Sequence, residues 1–175
     1  YISPSFETIS AFGSNGAIIH YNAKNVKKKT FLKKNNFYLL DSGSQYYLGT
    51  TDVTRTFVLG TVSNFHKNIY TYVLKGHIAV NNFNLTDKTR GQEVDKKARF
   101  FLKKYGKNYN HGTGHGIGYF LNVHETPPNI SSNSKTKFFE RQIMSNEPGY
   151  YKEKHFGVRL ENMMMVKKEK NKKYF

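Results

Sequence analysis

Apolar positions recur along this chain with two different periods, and the switch between them sets out the elements. Residues 6–9 and 17–21 carry short β-forming runs around Gly13, Ser14, Asn15 and Gly16, which predicts two strands joined by a turn. Residues 22–29 are polar and read as a loop. Residues 37–41 and 51–59 predict two further strands, linked through residues 45–49. The period then changes. Phe65, Ile69, Tyr72, Val73, Gly76 and Val80 recur at helical spacing, predicting a helix over residues 64–82. Residues 85–92 connect it to a second helix, 93–104, with Val94, Ala98, Phe101 and Leu102 on one side and Gly106 just past its end. A glycine-rich loop at 111–118 follows. Residues 121–125 form a strand-like turn that Pro127 and Pro128 stop, and 129–137 are polar and read as a mobile segment. Residues 142–147 and 157–166 are the last strands. No linker-like stretch divides these elements, so the order strands, helices, strands predicts a single α+β unit.

Acidic residues stand where this pattern makes them conspicuous. Asp41 closes an apolar strand, where a carboxylate is costly to bury without a partner; on its own it reads equally as the start of a turn with Gly43. Asp52 sits among β-formers, a place where Asp is disfavoured. Alternation puts Thr50, Asp52 and Thr54 on one face and Thr51, Val53 and Arg55 on the other. Glu147 precedes the turn signal Pro148-Gly149, and Glu161 lies in a β-like run with Arg159 two residues before it. Arg159 and Glu161 then share a face, so the arginine either orients a carboxylate ligand or makes a surface ion pair. Each acidic pair, Asp41 with Asp52 and Glu147 with Glu161, spans a short turn between strands. Residues equidistant from such a turn face each other, so each hairpin would offer two carboxylates on one face.

His115 lies among four glycines in His-Gly-Thr-Gly-His-Gly-Ile-Gly, with His111 before it and His124 after it. Glycines let the backbone come close to a ligand or adopt positive φ. A lone histidine there would read as structural; several together point to a site, with imidazoles serving as hydrogen-bond donors and proton carriers. Asp41, Asp52, His115, Glu147 and Glu161 make a donor set of four carboxylates and one imidazole, able to hold two divalent cations side by side. Such a pair turns a bridging water into hydroxide at neutral pH. Met163 to Met165 read as core strand, and His66 and His155 receive no role.

Composition narrows the picture. The formal charge is +16 over 175 residues, but the lysines fall in separate runs, among them Lys27 to Lys29, Lys96 with Lys97, and Lys103 with Lys104. They read as a solvated, compositionally biased surface, and no nucleic-acid partner is expected. The chain has no cysteine, which excludes disulfides and thiolate metal sites. No apolar run approaches a membrane span, and no membrane partner is expected. Tyr1 opens directly onto a strand-like run and the last residues stop without a terminating signal, so the chain reads as part of something longer.

The strings DSGSQYYLGTTDVTRT, HGTGHGIGYFLNVHE, SNEPGYY and FGVRLEN closely resemble the catalytic domain of aminopeptidase P, the Xaa-Pro aminopeptidase of the metallopeptidase M24 group. NGAIIHY and YVLKGHIAV match its eukaryotic cytosolic type. The likeness runs from Phe6 to about Val166 and weakens over residues 22–36 and 126–140. It implies a pita-bread fold over residues 1–175, incomplete at both ends, with N-terminal domains and a C-terminal tail beyond them. It implies two divalent ions, usually manganese, with Asp52 and Glu161 bridging both, Asp41 on one, and His115 and Glu147 on the other. Glu147 would act as general base, His124 as proton shuttle, His20 and His111 as pocket residues, and Arg159 as support for the ligands and a substrate-side group. The implied reaction is release of the residue before proline from peptides, through a metal-bridging hydroxide, by a homodimer in the cytoplasm or a digestive compartment. Prolidase-like dipeptidase activity and a non-catalytic pita-bread binding module are the alternatives. Thr126 stands where relatives commonly have glycine, which implies a changed substrate-side loop.

Overall fold

A computed structural model of the chain describes residues 1–26, 30–170 and 172–175. Strands β1 (Ser3–Pro4) and β2 (Ile9–Phe12) open it, and a 3-10 turn over Gly13–Ala17 follows. The strand expected at 17–21 does not form. Ile18 N–H bonds to Asn15 O and Tyr21 N–H to Ile18 O, so these donors are spent on local turns and not on a ladder. The polar loop expected at 22–29 begins with a second 3-10 turn, Ala23–Asn25, capped by the Asn22 side chain. Lys27 to Lys29 lie outside the described residues.

β3 (Asn36–Ser42), β4 (Ser44–Tyr46), β5 (Gly49–Thr50) and β6 (Val53–Leu59) come next. β3 is the centre of an antiparallel sheet, with β2 on one side and β6 on the other. The expected link at 45–49 carries a small hairpin of its own, β4 with β5, joined to β1. Asp52 falls just before β6 and not inside a strand. The expected alternation holds: Thr50, Asp52 and Thr54 are buried, while Thr51 and Arg55 are exposed.

Helix α1 (Asn64–Asn81) starts at Ser63, whose side chain accepts the His66 N–H. It buries Ile69, Val73, Gly76 and Val80 as its pattern requires, whereas Phe65 is left exposed. After the short β7 (Asn84–Leu85), α2 (Gly91–Lys103) packs against α1. A Cβ on Gly76 would collide with the Ala98 carbonyl, so glycine sets how closely the helices approach.

β8 (Gly114–Gly116), β9 (Glu125–Ile130) and β10 (Ile143–Asn146) follow. Next come β11 (Gly149–Lys152), β12 (Phe156–Arg159), β13 (Asn162–Met165), β14 (Lys167–Glu169) and β15 (Lys172–Tyr174). A four-stranded sheet runs in the order β13-β10-β8-β9. Pro127 and Pro128 do not stop β9 but lie within it. Among the described residues β9 is an edge strand paired only with β8, where missing N–H groups cost little. Residues 131–137 are not a loose loop either. Ser134 is buried, its Oγ donates to Asn129 O at 2.8 Å, and the carbonyls of Ser134 and Thr136 accept the N–H groups of Gln92 and Gly91. The segment thereby satisfies donors at the start of α2 that the helix itself cannot.

Two large apolar clusters form the core. One gathers Phe37, Ile69, Val73, Phe156 and Val158; the other gathers Val80, Val94, Ala98, Ile130, Met144 and Met164. Within the methionine run only Met164 is buried, and Met165 points outward, as alternation along β13 dictates.

Candidate metal centre

The acidic residues reach one point by two routes. Asp41 lies inside β3, opposite Thr54 of β6, so it is not opposite Asp52 as hairpin symmetry suggested. The β4–β5 excursion lengthens the connection, and Asp52 enters from just outside the ladder. The second pair does follow that symmetry. Asn146 pairs with Asn162 and Gly149 with Arg159 in one continuous register, so Glu147 and Glu161 face each other at the break between the two ladders. β6 runs beside this break: Thr54 O accepts the Glu161 N–H at 3.1 Å, and Arg55 Nη1 donates to Glu161 O at 2.6 Å.

His115 comes from β8, held between β9 and β10. Glycine is required on both sides of it, since a Cβ on Gly114 would meet Ser145 O and one on Gly116 would meet Glu125 O. None of the four glycines from Gly112 to Gly118 has positive φ; their use here is close approach to neighbouring backbone. His115 Nδ1 lies 2.8 Å from Gly116 O, which takes its proton and leaves Nε2 facing Glu147 Oε1 at 3.1 Å and Asp52 Oδ2 at 3.5 Å. Donor atoms of Asp41, Asp52 and Glu161 lie within 4.8 Å of one another, as do those of His115, Glu147 and Glu161. Asp52, His115 and His124 form a third such group.

Four carboxylates this close are short of positive charge. Burial, reinforced by Glu147, Asp52 and Asp41, pushes Glu161 well above the usual carboxylate range. Burial raises Asp41 too, although Arg159 opposes it at 2.6 Å. Asp41 Oδ1 is buried with no hydrogen-bond partner among the described residues. Burial would also raise Glu147, but His115, His111 and Arg159 hold it below its ordinary value. His115 is desolvated, yet its bonds to Asp52 and Glu147 raise it to about 10, so protein alone recruits a proton into the cluster. A crowded oxygen-rich cluster with an orphaned carboxylate oxygen and an imidazole nitrogen aimed into it fits divalent cations.

Arg159 bonds to Asp41 and not to Glu161. Its Nη2 donates to Asp41 Oδ2 at 2.6 Å, its Nε to Thr54 Oγ1 at 3.2 Å and its Nη1 to Tyr151 OH at 2.8 Å. It is 3% exposed, which excludes a surface ion pair. Glu161 is oriented instead by Thr54, whose hydroxyl donates to Oε2 at 2.6 Å. Tyr151 and Thr54 carried no role in the sequence reading; their places in the EPGYY and TTDVTRT strings were the available signal. Tyr151 OH also bonds to His111 Nε2 at 2.9 Å, and His111 Nδ1 meets Gly112 O at 2.7 Å, so both ring nitrogens are engaged. Burial lowers the His111 pKa, which keeps this ring neutral. His124 stacks edge-on against His115 at 4.1 Å and is itself exposed. A cavity of about 560 Å³ brings the five candidate ligands together with His20, His111, His124 and Arg159, and extends to Phe6, Glu7 and Tyr21.

This fold and donor set define a class, an α+β chain whose strands aim a cluster of metal-ligating side chains into a cavity. Metallopeptidase family M24 matches residues 1–168, and the chain belongs to that family. It is 45% identical over 170 residues to a probable Xaa-Pro aminopeptidase P of Arthroderma otae, covering 95% of this chain and 27% of that protein. A solved X-prolyl aminopeptidase from Caenorhabditis elegans, described as a cytosolic enzyme with a di-nuclear active site, superposes with a TM-score of 0.90 at 38% identity. That match covers 95% of this chain and 27% of the C. elegans chain. Prolidase from Pyrococcus furiosus gives a TM-score of 0.83 at 31% identity, over 94% of this chain and 47% of its own. The expected pita-bread α+β fold therefore stands. The chain spans about a quarter of the length of the curated relatives it matches.

Proposed function

We propose that this chain carries the catalytic centre of a dinuclear-metal aminopeptidase that releases the residue before proline from the N-terminus of peptides. The observation that carries the reading is the pair of donor groups that share Glu161, one completed by Asp41 and Asp52, the other by His115 and Glu147. In this reading Asp41, Asp52, His115, Glu147 and Glu161 would hold two ions, with Asp41 and Asp52 on one side of Glu161 and His115 and Glu147 on the other. A donor set of carboxylates and imidazole without thiolate suits Mn²⁺. When bound, the ions supply Lewis acidity that polarises the scissile carbonyl and acidifies water.

The remaining steps belong to the protein. Glu147 would take the proton of the attacking water; His115 and Arg159 hold its pKa below the ordinary value, so the carboxylate is ionised beforehand. His124, at the exposed rim, is lowered by burial and by His115, and as a neutral imidazole it relays a proton toward the leaving proline nitrogen. His20 and His111 line the space for substrate. Arg159 aims the Asp41 carboxylate and opposes the rise that burial gives its pKa. A scissile bond to proline has no N–H, so recognition rests on shape and on the carbonyl.

The relatives named Xaa-Pro aminopeptidase favour cleavage of tripeptides and longer, while likeness to prolidase supports a dipeptidase as second reading. A cytoplasmic homodimer is the setting this reading carries with it. The test is hydrolysis of Arg-Pro-Pro and Arg-Pro by the full-length polypeptide, with and without Mn²⁺, beside Glu147→Ala. Metal-dependent arginine release from the tripeptide, lost in the variant, is expected; cleavage of the dipeptide alone would replace this reading with prolidase.

A further inference from the structure

A second buried polar assembly lies behind the candidate centre, and the proposed chemistry does not use it. Asp95 and Arg99 sit one turn apart on the inward side of α2, 1% and 5% exposed, with Arg99 Nε donating to Asp95 Oδ2 at 2.7 Å. A buried ion pair is weak support for stability by itself, so its other bonds matter more. Arg99 Nη1 donates to Asn108 Oδ1 at 2.9 Å and to Tyr109 O at 2.6 Å, and Nη2 donates to His111 O at 2.7 Å. The guanidinium also lies 3.9 Å from the centre of the Tyr109 ring. Asp95 Oδ1 accepts the Thr113 hydroxyl at 2.6 Å, and Thr113 O accepts the Glu147 N–H at 2.8 Å. Every one of these bonds ends on the segment that carries His111 and runs into His115, or on the backbone of Glu147.

We propose that Asp95 and Arg99 are positioning residues for the His115–Glu147 half of the centre. A planar guanidinium with fixed donor directions can set three oxygens of one loop at once, which an ammonium cannot. Asp95 fixes Thr113, and Thr113 passes that placement to Glu147 through its carbonyl. Asp41 is bonded by Arg159 from β12 and by neither member of this pair. The pair therefore bonds directly to the His115–Glu147 half of the centre and reaches the Asp41 half only through His111 and Tyr151. This inference rests on the two-ion reading above.

The test is Co²⁺ titration of the full-length polypeptide, followed by calorimetry and by the visible spectrum, for wild type, Thr113→Val, Arg99→Lys and Asp95→Asn. Titrations of Glu147→Gln and Asp41→Asn assign the two sites. Thr113→Val conserves volume and removes only the hydroxyl, so it keeps the test informative where the ion-pair variants fail to fold. Wild type should bind two Co²⁺. In the variants the Glu147 site should weaken roughly 10-fold or more, while the Asp41 site keeps its affinity and spectrum. Equal weakening of both sites, or a lower melting temperature with both affinities unchanged, would reduce the pair to a structural role. Fewer than two ions in wild type would overturn the two-ion reading and this inference with it.

Discussion

The two acidic hairpins deliver the same number of carboxylates by unlike means. In the β3–β6 hairpin, Asp41 is a ladder residue opposite Thr54, and Asp52 enters from outside the ladder after the β4–β5 excursion. In the β10–β13 region, Glu147 and Glu161 face each other where one continuous register is interrupted. Neither hairpin orients its own acids alone. Thr54 of the first bonds to Glu161 of the second, and Arg159 of the second bonds to Asp41 of the first. Thr56 and Arg159 bond in both directions, from Thr56 Oγ1 to Arg159 O at 2.9 Å and from Arg159 N to Thr56 Oγ1 at 3.1 Å. The site is an interlock of two hairpins, and its geometry belongs to their seam.

The interlock is most directly broken by removing the carboxylate common to both donor groups. Glu161→Gln should abolish paired metal uptake and lower activity by more than about 100-fold, since even outer partners of metal ligands are worth about 10- to 100-fold. The same change relieves like-charge crowding, so the metal-free variant should melt at or above the wild-type temperature; scanning calorimetry with and without Mn²⁺ reads both. A fall in metal-free melting temperature would contradict the charge argument.

Arg159→Ala strikes the seam from the other side. It leaves Asp41 buried without its cation, which costs about 3–5 kcal/mol, measured by urea unfolding of the metal-free protein. Bound Mn²⁺ should recover part of that loss, because it supplies the missing charge.

Groups within the cluster also differ in how they respond to pH. A base whose folded pKa is raised contributes stability that is full below the unfolded pKa and lost as pH rises through the folded value. For His115 this window runs from 6.5 to about 10. Glu161, an acid raised by burial, shifts the balance in the same sense, while Glu147, held low by its cations, contributes above its ordinary pKa and loses it in acid. Metal-free unfolding free energy should therefore decline from pH 6.5 toward 10, and Mn²⁺ binding should release a proton from His115. Calorimetry in buffers of different ionisation enthalpy counts that proton; none released would contradict the assignment of His115.

The smallest effect is expected at Thr54. Thr54→Val removes a hydroxyl that donates to Glu161 and accepts from Arg159 Nε; the bond to the carboxylate is worth about 1.5–3 kcal/mol, and its loss should loosen Glu161 while Arg159 Nη2 keeps its own bond to Asp41. A crystal structure of the variant checks this, and a displaced Asp41 would show the halves to be less separable than argued.

What the sequence made legible follows from periodicity. The helices, the alternation through Thr50, Asp52 and Thr54, and the five acidic and histidine positions were readable because each depends on local spacing. That Arg159 shares a face with Glu161 did not reveal its partner Asp41, which lies 118 residues away across the seam. The symmetry argument held for Glu147 with Glu161 and failed for Asp41 with Asp52, where an inserted hairpin shifts one member out of register. Pro127 and Pro128 suggested a stop because a single sequence does not reveal that β9 is an edge. The polar run at 129–137 looked loose because the backbone partners of its later residues, Gly91 and Gln92, belong to another element. Asp95 and Arg99 were visible as an i,i+4 pair, but only the fold turns that pair inward.

Crystals of the full-length polypeptide grown with Mn²⁺ and measured at the manganese absorption edge give the most direct test. Two anomalous peaks among Asp41, Asp52, Glu147 and Glu161, one nearer Asp41 and the other nearer His115, are the predicted result. A single peak, or none between the two hairpins, would contradict the account.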